Sequence, residues 1–183
     1  MITRKIIKVF SVIKRKMIKI VAYVNIDLYM KIYTEYLKKL GIDFSGQEKR
    51  VKYIEPSVYF DGTDYSLIHI GDNVTISREV MILTHDYSIN NALCSIGIKI
   101  DRHKGERYFK KHVRIGNNSF IGARVSLLGG ANIGNNCIIG ACSVIKGNIP
   151  DDSIVIGNPA KIIGSTRMYA QKHQKLRDYQ IEQ

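Results

Sequence analysis

From Ile115 to Pro150 the chain reads IGNNSFIGARVSLLGGANIGNNCIIGACSVIKGNIP, with an aliphatic residue at every sixth position: Ile115, Ile121, Leu127, Ile133, Ile139 and Ile145. Four residues after each stands a second candidate for the interior, mostly small or branched: Ser119, Val125, Ala131, Cys137, Ser143 and Ile149. An α-helix repeats at about 3.6 residues and a strand at about 2, so a sustained period of six marks a repeat architecture rather than either element alone. The repeat unit is a short strand plus a turn. Three such units close one coil of a parallel β-helix with triangular section, and stacked coils bury an aliphatic column that no single repeat can bury.

Working outward, an earlier block repeats the pattern at Ile70, Ile76 and Ile82, with Val74 and Val80 in the second position, and Ile54, Val58 and Phe60 are ragged first repeats. The period breaks at Tyr87 and resumes near Val113, which predicts a protruding loop over 87–112; long loops in compact domains often carry function. That loop holds Arg102, His103, Lys104, Arg107, Lys110, Lys111 and His112, a cluster suited to phosphate or an acidic sugar. Beyond Pro150, Ile156 and Ile162 predict a last partial coil, and the polar tail predicts a short helix that covers the open end of the solenoid. The chain therefore divides into an N-terminal basic helical segment (1–50), a mainly β solenoid (51–164) and a tail (165–183).

The hexapeptide period, the Thr84–His85–Asp86 segment and the run Gly157, Asn158, Pro159, Ala160, Lys161 together resemble the hexapeptide-repeat acyltransferases. The branch resembled is that of the maltose, galactoside and capsular-polysaccharide O-acetyltransferases. The resemblance implies a left-handed parallel β-helix, acetyl-CoA as co-substrate, no metal, and a homotrimer with active sites between neighbouring solenoids.

Composition bounds the rest. With 183 residues there is room for one well-buried domain. Cys94, Cys137 and Cys142 lack metal-like spacing and fit a reducing, cytoplasmic setting. The net charge of +12 is concentrated at the start, where residues 1–52 hold 13 Lys plus Arg against 4 Asp plus Glu. There Ile2, Ile6, Phe10, Ile13, Met17, Ile20 and Val24 recur at helical spacing between lysines, too interrupted for the roughly 20 apolar residues of a membrane span. The segment reads as an amphipathic helix lying on the core, or in the plane of an anionic membrane surface at the inner face. A second helix is expected over about 27–40, ending at Gly41, with Tyr29, Tyr33 and Tyr36 as a core or subunit-contact stripe. Nucleic-acid binding is disfavoured, because no base-reading motif accompanies the charge.

His85 is the leading catalytic candidate: a near-neutral imidazole suits a general base, and it ends a coil immediately before the loop. In the resembling enzymes a histidine in this motif deprotonates the acceptor hydroxyl. Asp86, or a backbone carbonyl, is a candidate to hold the other ring nitrogen, although Asp86 falls on an inward repeat phase; Asp61 is a candidate for orienting the acceptor. A backbone N–H at a repeat corner can stabilise the tetrahedral oxyanion, and Ala123 resembles the position that does so. Ala123 and Ala141 are expected to stack one coil apart and leave a groove for pantetheine, with Phe120 where many relatives have tryptophan. Lys146 and Lys161 are candidates for the CoA phosphates by charge. Alternatives are N-acetylation of a nucleotide-linked amino sugar, a metal-dependent lyase drawing on His69, His85 and a loop histidine, and a non-enzymatic scaffold.

Overall fold

A computed structural model describes residues 13–44, 46, 51–61, 64–101 and 105–174. Its centre is a solenoid of three parallel ladders. One face stacks Tyr53–Ile54, Thr75–Ile76, Phe120–Ile121, Ile138–Ile139 and Ser153–Ile156. A second face stacks Tyr59–Phe60, Met81–Ile82, Ser126–Leu127 and Val144–Ile145. The third stacks Ile68–Ile70, Val113–Ile115, Asn132–Ile133 and Asn148–Ile149. Each short strand contributes an aliphatic residue inward, so Ile76, Ile121 and Ile139 stack on one another, as do Phe60, Ile82, Leu127 and Ile145. Every residue of the six-residue column from Ile115 to Ile145 is buried. Burial of each is worth about 1.5–3 kcal/mol.

The second interior position is filled by Ser119, Val125, Ala131, Cys137 and Ser143, all buried. The two serines are tolerated because their hydroxyls donate to turn carbonyls, Ser119 to Gly134 at 3.0 Å and Ser143 to Gly140 at 2.7 Å. Between the third and first faces the corners adopt left-handed backbone at Asn73, Asn118, Asn136 and Asp152 (φ between 54° and 61°), a conformation that Asn and Asp accept more readily than most residues. Their neighbours tie one coil to the next: Asn117 N–H donates to Asn135 Oδ1 and Asn135 N–H to Asp151 Oδ1, each at 2.8 Å.

Several expectations are corrected at the C-terminal end. The last repeat loses two residues, so Ile149 takes the place of a main aliphatic residue and pairs with Ile133 sixteen positions earlier rather than eighteen. Val155, not Ile156, then faces inward. No partial coil follows, because Lys161–Ser165 turns back and pairs antiparallel with Ser153–Ile156, leaving Ile162 exposed. This returning strand, rather than the tail helix, covers the last edge. The tail does form a helix, Thr166–His173, capped by Ser165, yet it buries no residue.

At the other end, backbone is helical over 13–21 (α1) and again over Ile26–Leu40 (α2). Asn25 caps α2 by accepting from Leu28 N–H, and Gly41 at φ 110° ends it. Tyr29, Tyr33 and Leu37 on its inner face are fully buried, the tyrosine rings stacked 5.1 Å apart, and Tyr29 Oη donates to Ile54 O at 2.9 Å. Burial pushes both phenols well above the ordinary tyrosine range. The tyrosine stripe is thus core, plugging the open end of the first coil. The orientation expected for α1 is corrected: Ile18 packs inward, while Ile13, Met17, Ile20 and Val24 point outward. Ile2, Ile6 and Phe10 lie outside the described residues, as do Arg102, His103, Lys104 and the tail beyond 174.

Candidate active site

The corner between the second and third faces is where the loop departs. In the coil of Leu127 this corner is made by Leu128, Gly129 and Gly130 alone. In the coil before it the chain leaves at Leu83 and Thr84 and returns at Lys111 and His112, with the coil's hydrogen bonds intact on both sides: Leu83 N–H to Leu127 O and Gly130 N–H to His112 O. The outgoing and returning strands pair antiparallel, His85 opposite Lys110 and Asp86 opposite Phe109. Further out, Ile89–Ser95 forms a short helix (α3), clipped to the return leg by two hydrogen bonds between Asn90 and the Arg107 backbone.

Stacking of coils places Asp61 beneath this corner. Asp61 N–H donates to Ile82 O, and its carboxylate, only 4% exposed, reaches up. Asp61 Oδ2 accepts from Thr84 N–H at 3.0 Å, from His85 N–H at 3.3 Å and from the Thr84 hydroxyl at 3.3 Å, and it meets His85 Nδ1 directly. A carboxylate against Nδ1 keeps the proton on that nitrogen and leaves Nε2 as the basic atom. Tyr87 packs edge-on to the imidazole at 5.2 Å and in turn against Tyr108 at 4.8 Å. The ring is therefore held from two sides.

His85 opens on a cavity of about 380 Å³ walled by Leu83, Phe109 and Leu128, with Lys111, Lys146 and Asp86 supplying charge. Gly129 and Gly130 give the Lys111 stem its seat: a Cβ at Gly130 would stand 3.2 Å from Lys111 Cδ. Asp86 is not inward, as its repeat phase predicted, because the strand turns out of the coil one residue earlier. It is exposed and accepts from Ser88 N–H at 2.7 Å. Hydrogen bonds from the Ser88 backbone and hydroxyl hold its carboxyl below the usual carboxylate range, and the Lys146 charge adds to the effect. Asp86 therefore anchors the turn and is free of the imidazole nitrogen, a place taken by Asp61.

Within one chain the structure joins His85, Asp61, Asp86 and Lys146, and sets Ala123, Ala141, Phe120 and Lys161 elsewhere. Ala123 and Ala141 do stack, on the corner between the first and second faces, where Cys142 N–H donates to Ala123 O at 2.9 Å. The Gly157 turn continues that column, since Val144 N–H donates to Gly157 O at 3.0 Å, and Lys161 follows it, exposed. Phe120 points outward from the first face, 42% exposed. His69 does not approach His85 as a fellow ligand: its Nδ1 faces Asp43 Oδ2 at 2.9 Å and its Nε2 faces His112 Nδ1 at 2.8 Å. Among the described residues no group of three His, Cys, Asp or Glu side chains converges as a metal site would require. Sequence reasoning missed the pairing of Asp61 with His85 and the wall formed by Phe109, Leu128 and the glycine pair; the doubled glycine at 129–130, where neighbouring repeats place a single glycine directly after the aliphatic residue, was its one visible signal.

A repeat solenoid that sets an imidazole beside a buried carboxylate at the mouth of a loop-walled pocket presents a group able to accept a proton there. Residues 112–147 match the bacterial transferase hexapeptide (six repeats) family. The galactoside O-acetyltransferase of Escherichia coli (strain K12) is 32% identical over 143 residues, covering 71% of this chain and 68% of that protein. Protein CapG of Staphylococcus aureus is 38% identical over 144 residues, 78% of this chain and 77% of CapG. A probable acetyltransferase of Mycobacterium tuberculosis, Rv3034c, is 35% identical over 104 residues, of which the matched part spans 32% of its length. Among solved structures, a maltose O-acetyltransferase from Clostridium difficile 630 superimposes with a TM-score of 0.50 at 23% identity, covering 85% of this chain and 88% of that one, which shows the shared fold. The chain belongs to the hexapeptide-repeat acyltransferases, and its solenoid is the left-handed β-helix of that family.

Proposed function

We propose that the protein transfers acetyl from acetyl-CoA to a hydroxyl of a saccharide, of the capsular or lipopolysaccharide type or a precursor of one. The observation that carries this reading is the buried Asp61 carboxylate against His85 Nδ1 at the edge of the cavity. With Nδ1 engaged, His85 Nε2 takes the acceptor hydroxyl proton as the oxygen attacks the thioester carbonyl. The tetrahedral oxyanion is met by a corner N–H, that of Ala123, and its collapse expels the CoA thiolate, which regains the proton from the imidazolium. Asp61 is a positioning residue here, and Asp86 offers a carboxylate to the acceptor's other hydroxyls.

The column of small residues at Ala123 and Ala141 fits an extended pantetheine arm, flanked by Phe120, with Lys161 and Lys146 for the CoA phosphates. Ala123, Ala141, Phe120 and Lys161 lie away from His85, whereas Lys146 lines the His85 cavity. A site completed between neighbouring copies, as in a homotrimer, would bring the two corners together. The three cysteines are free, which agrees with a cytoplasmic enzyme, and the basic N-terminal segment would hold it at the inner membrane face. The test is release of CoA thiol from acetyl-CoA with a panel of neutral, acidic and amino sugars. Loss of at least about a hundredfold in His85→Ala with CoA binding retained is the expected result. Equal rates in the two proteins would sink the general-base assignment, and turnover with amino sugars alone would make the protein an N-acetyltransferase.

A further inference from the structure

The outer face of the α1–α2 hairpin is the strongest feature that acetyl transfer leaves unused. The inner face of α2 is spent on Tyr29, Tyr33 and Leu37, and α1 gives Ile18 to the core, with Val21 packed partly against it. Outward, among charged residues, lie large apolar side chains: Met17 and Ile20 on α1, Tyr23 and Val24 at the elbow, and Leu28 and Ile32 on α2. Tyr23 and Val24 are 88% and 86% exposed, so the tip of the elbow presents an aromatic and a branched side chain almost wholly to solvent. So many exposed large apolar side chains gathered on one short hairpin mark a binding face rather than ordinary surface.

Its charge identifies the partner. Residues 13–40 carry Lys14, Arg15, Lys16, Lys19, Lys31, Lys38 and Lys39 against Asp27 and Glu35, and Glu35 is already paired with Lys38 at 2.8 Å. Between the helices lies a groove of about 310 Å³ lined by Ile18, Leu28, Ile32 and Tyr36 together with Lys14, Lys31 and Lys39 and the lysine-paired Glu35. Apolar side chains beside three ammonium groups match a phosphate headgroup with the start of its acyl chain. A second copy docking on this face would press like charges together. No helix among the described residues is long and apolar enough to cross a membrane, so the hairpin would lie in the interface, its tyrosine at headgroup depth.

We propose that the α1–α2 elbow is the docking surface for an anionic lipid bilayer, inserting Tyr23 and Val24 and seating a lipid phosphate among Lys14, Lys31 and Lys39. This rests on the peripheral membrane contact proposed above and gives it a surface and a lipid class. Bound this way, the solenoid stands on the membrane through the end that α2 plugs.

The experiment is flotation of the full chain with vesicles of phosphatidylcholine alone and with about one-third phosphatidylglycerol, at low and high salt. Binding to the anionic vesicles only, weakened by salt, is expected. The triple variant Lys14→Gln, Lys31→Gln, Lys39→Gln should lose about a hundredfold in affinity, equivalent to about 1 kcal/mol per lysine. The double variant Tyr23→Ser, Val24→Ser should lose at least about tenfold. All five side chains lie off the core, and thiol release with a soluble acceptor checks that each variant is folded and active. Equal binding to neutral vesicles, no binding at all, or unchanged binding in both variants would overturn the proposal. So would elbow variants that dissociate in sedimentation velocity while the wild type ignores vesicles, since the face would then join copies of the chain. A protein that binds anionic vesicles yet releases no thiol keeps this surface and removes only the acetyltransferase reading.

Discussion

Asp61→Asn isolates the role of the carboxylate. Asparagine has nearly the volume of aspartate, and its carbonyl oxygen can keep the bonds from Thr84 N–H at 3.0 Å and His85 N–H at 3.3 Å, so the corner should hold its shape. What is lost is the charge beside His85 Nδ1. A hydrogen bond to a charged group contributes about 1.5–3 kcal/mol net, equivalent to about ten- to a hundredfold in rate if that bond is made fully only when the imidazole becomes imidazolium. We expect kcat for thiol release to fall by that factor, acceptor KM to stay within about threefold, and the melting temperature to move by no more than about 4 °C. Because Asp61 acts through His85, adding Asp61→Asn to His85→Ala should cost nothing more. A single variant within about twofold of the wild type, or a double variant clearly slower than His85→Ala, would refute the assignment of Asp61 as the residue that orients the base.

Two further outcomes follow from the geometry. Gly122→Ala places a Cβ 2.6 Å from Ala141 N and 2.7 Å from Ile139 O, backbone atoms with no room to yield, whereas at Gly164 the nearest atom is Ile154 Cδ1 at 3.9 Å. Overpacking of about 1–3 kcal/mol should lower the melting temperature of Gly122→Ala by about 3–10 °C and leave Gly164→Ala within about 2 °C. His69 Nδ1 faces Asp43 Oδ2 and His69 Nε2 faces His112 Nδ1. Desolvation, with Arg114 and His69 nearby, holds His112 below its ordinary value. Its stabilising effect is then present above the ordinary histidine pKa and lost as pH falls through the lowered one. Thermal melts should therefore show stability declining as pH drops below about 6.5, before the carboxylates titrate, and His112→Gln should flatten that part of the curve.

The solenoid was legible because its period is a direct image of its geometry: where Ile121 lies over Ile139 and Leu127 over Ile145, the offset is eighteen residues and the sequence repeats in step. Legibility fails wherever residues are gained or lost at a corner. Phe60 lies under Ile82 at an offset of 22, because extra residues at the corner that carries the short helix Tyr65–Leu67 lengthen that coil. The same lengthening concealed Asp61 from His85. Ile149 and Val155 were misplaced for the opposite reason, a corner two residues shorter. The direction of α1 was missed because apolar spacing alone shows that a helix has two faces, not which one the core takes; Ile18, off the conspicuous stripe, goes inside, with Val21 packed partly beside it. His85 stood out as a candidate because a motif and a break in the period coincide there, while its cavity wall comes from Phe109 and Leu128, far apart in the chain and joined only by stacking.

The loop that carries His85 leaves and re-enters through a corner that its neighbour closes with Leu128, Gly129 and Gly130, and the ladders on either side register as though nothing intervened: Ile82 still meets Leu127 and Ile115 still meets Ile70. Scaffold and insertion are thereby uncoupled in the sense that matters for heredity. Changes in the loop beyond the His85–Lys110 pair can accumulate, lengthen or be exchanged between relatives without disturbing a single stacked aliphatic residue. A lineage can thus vary the walls of the pocket on an unchanged solenoid, and a chimaera that receives a foreign loop at this junction should fold as readily as its parent.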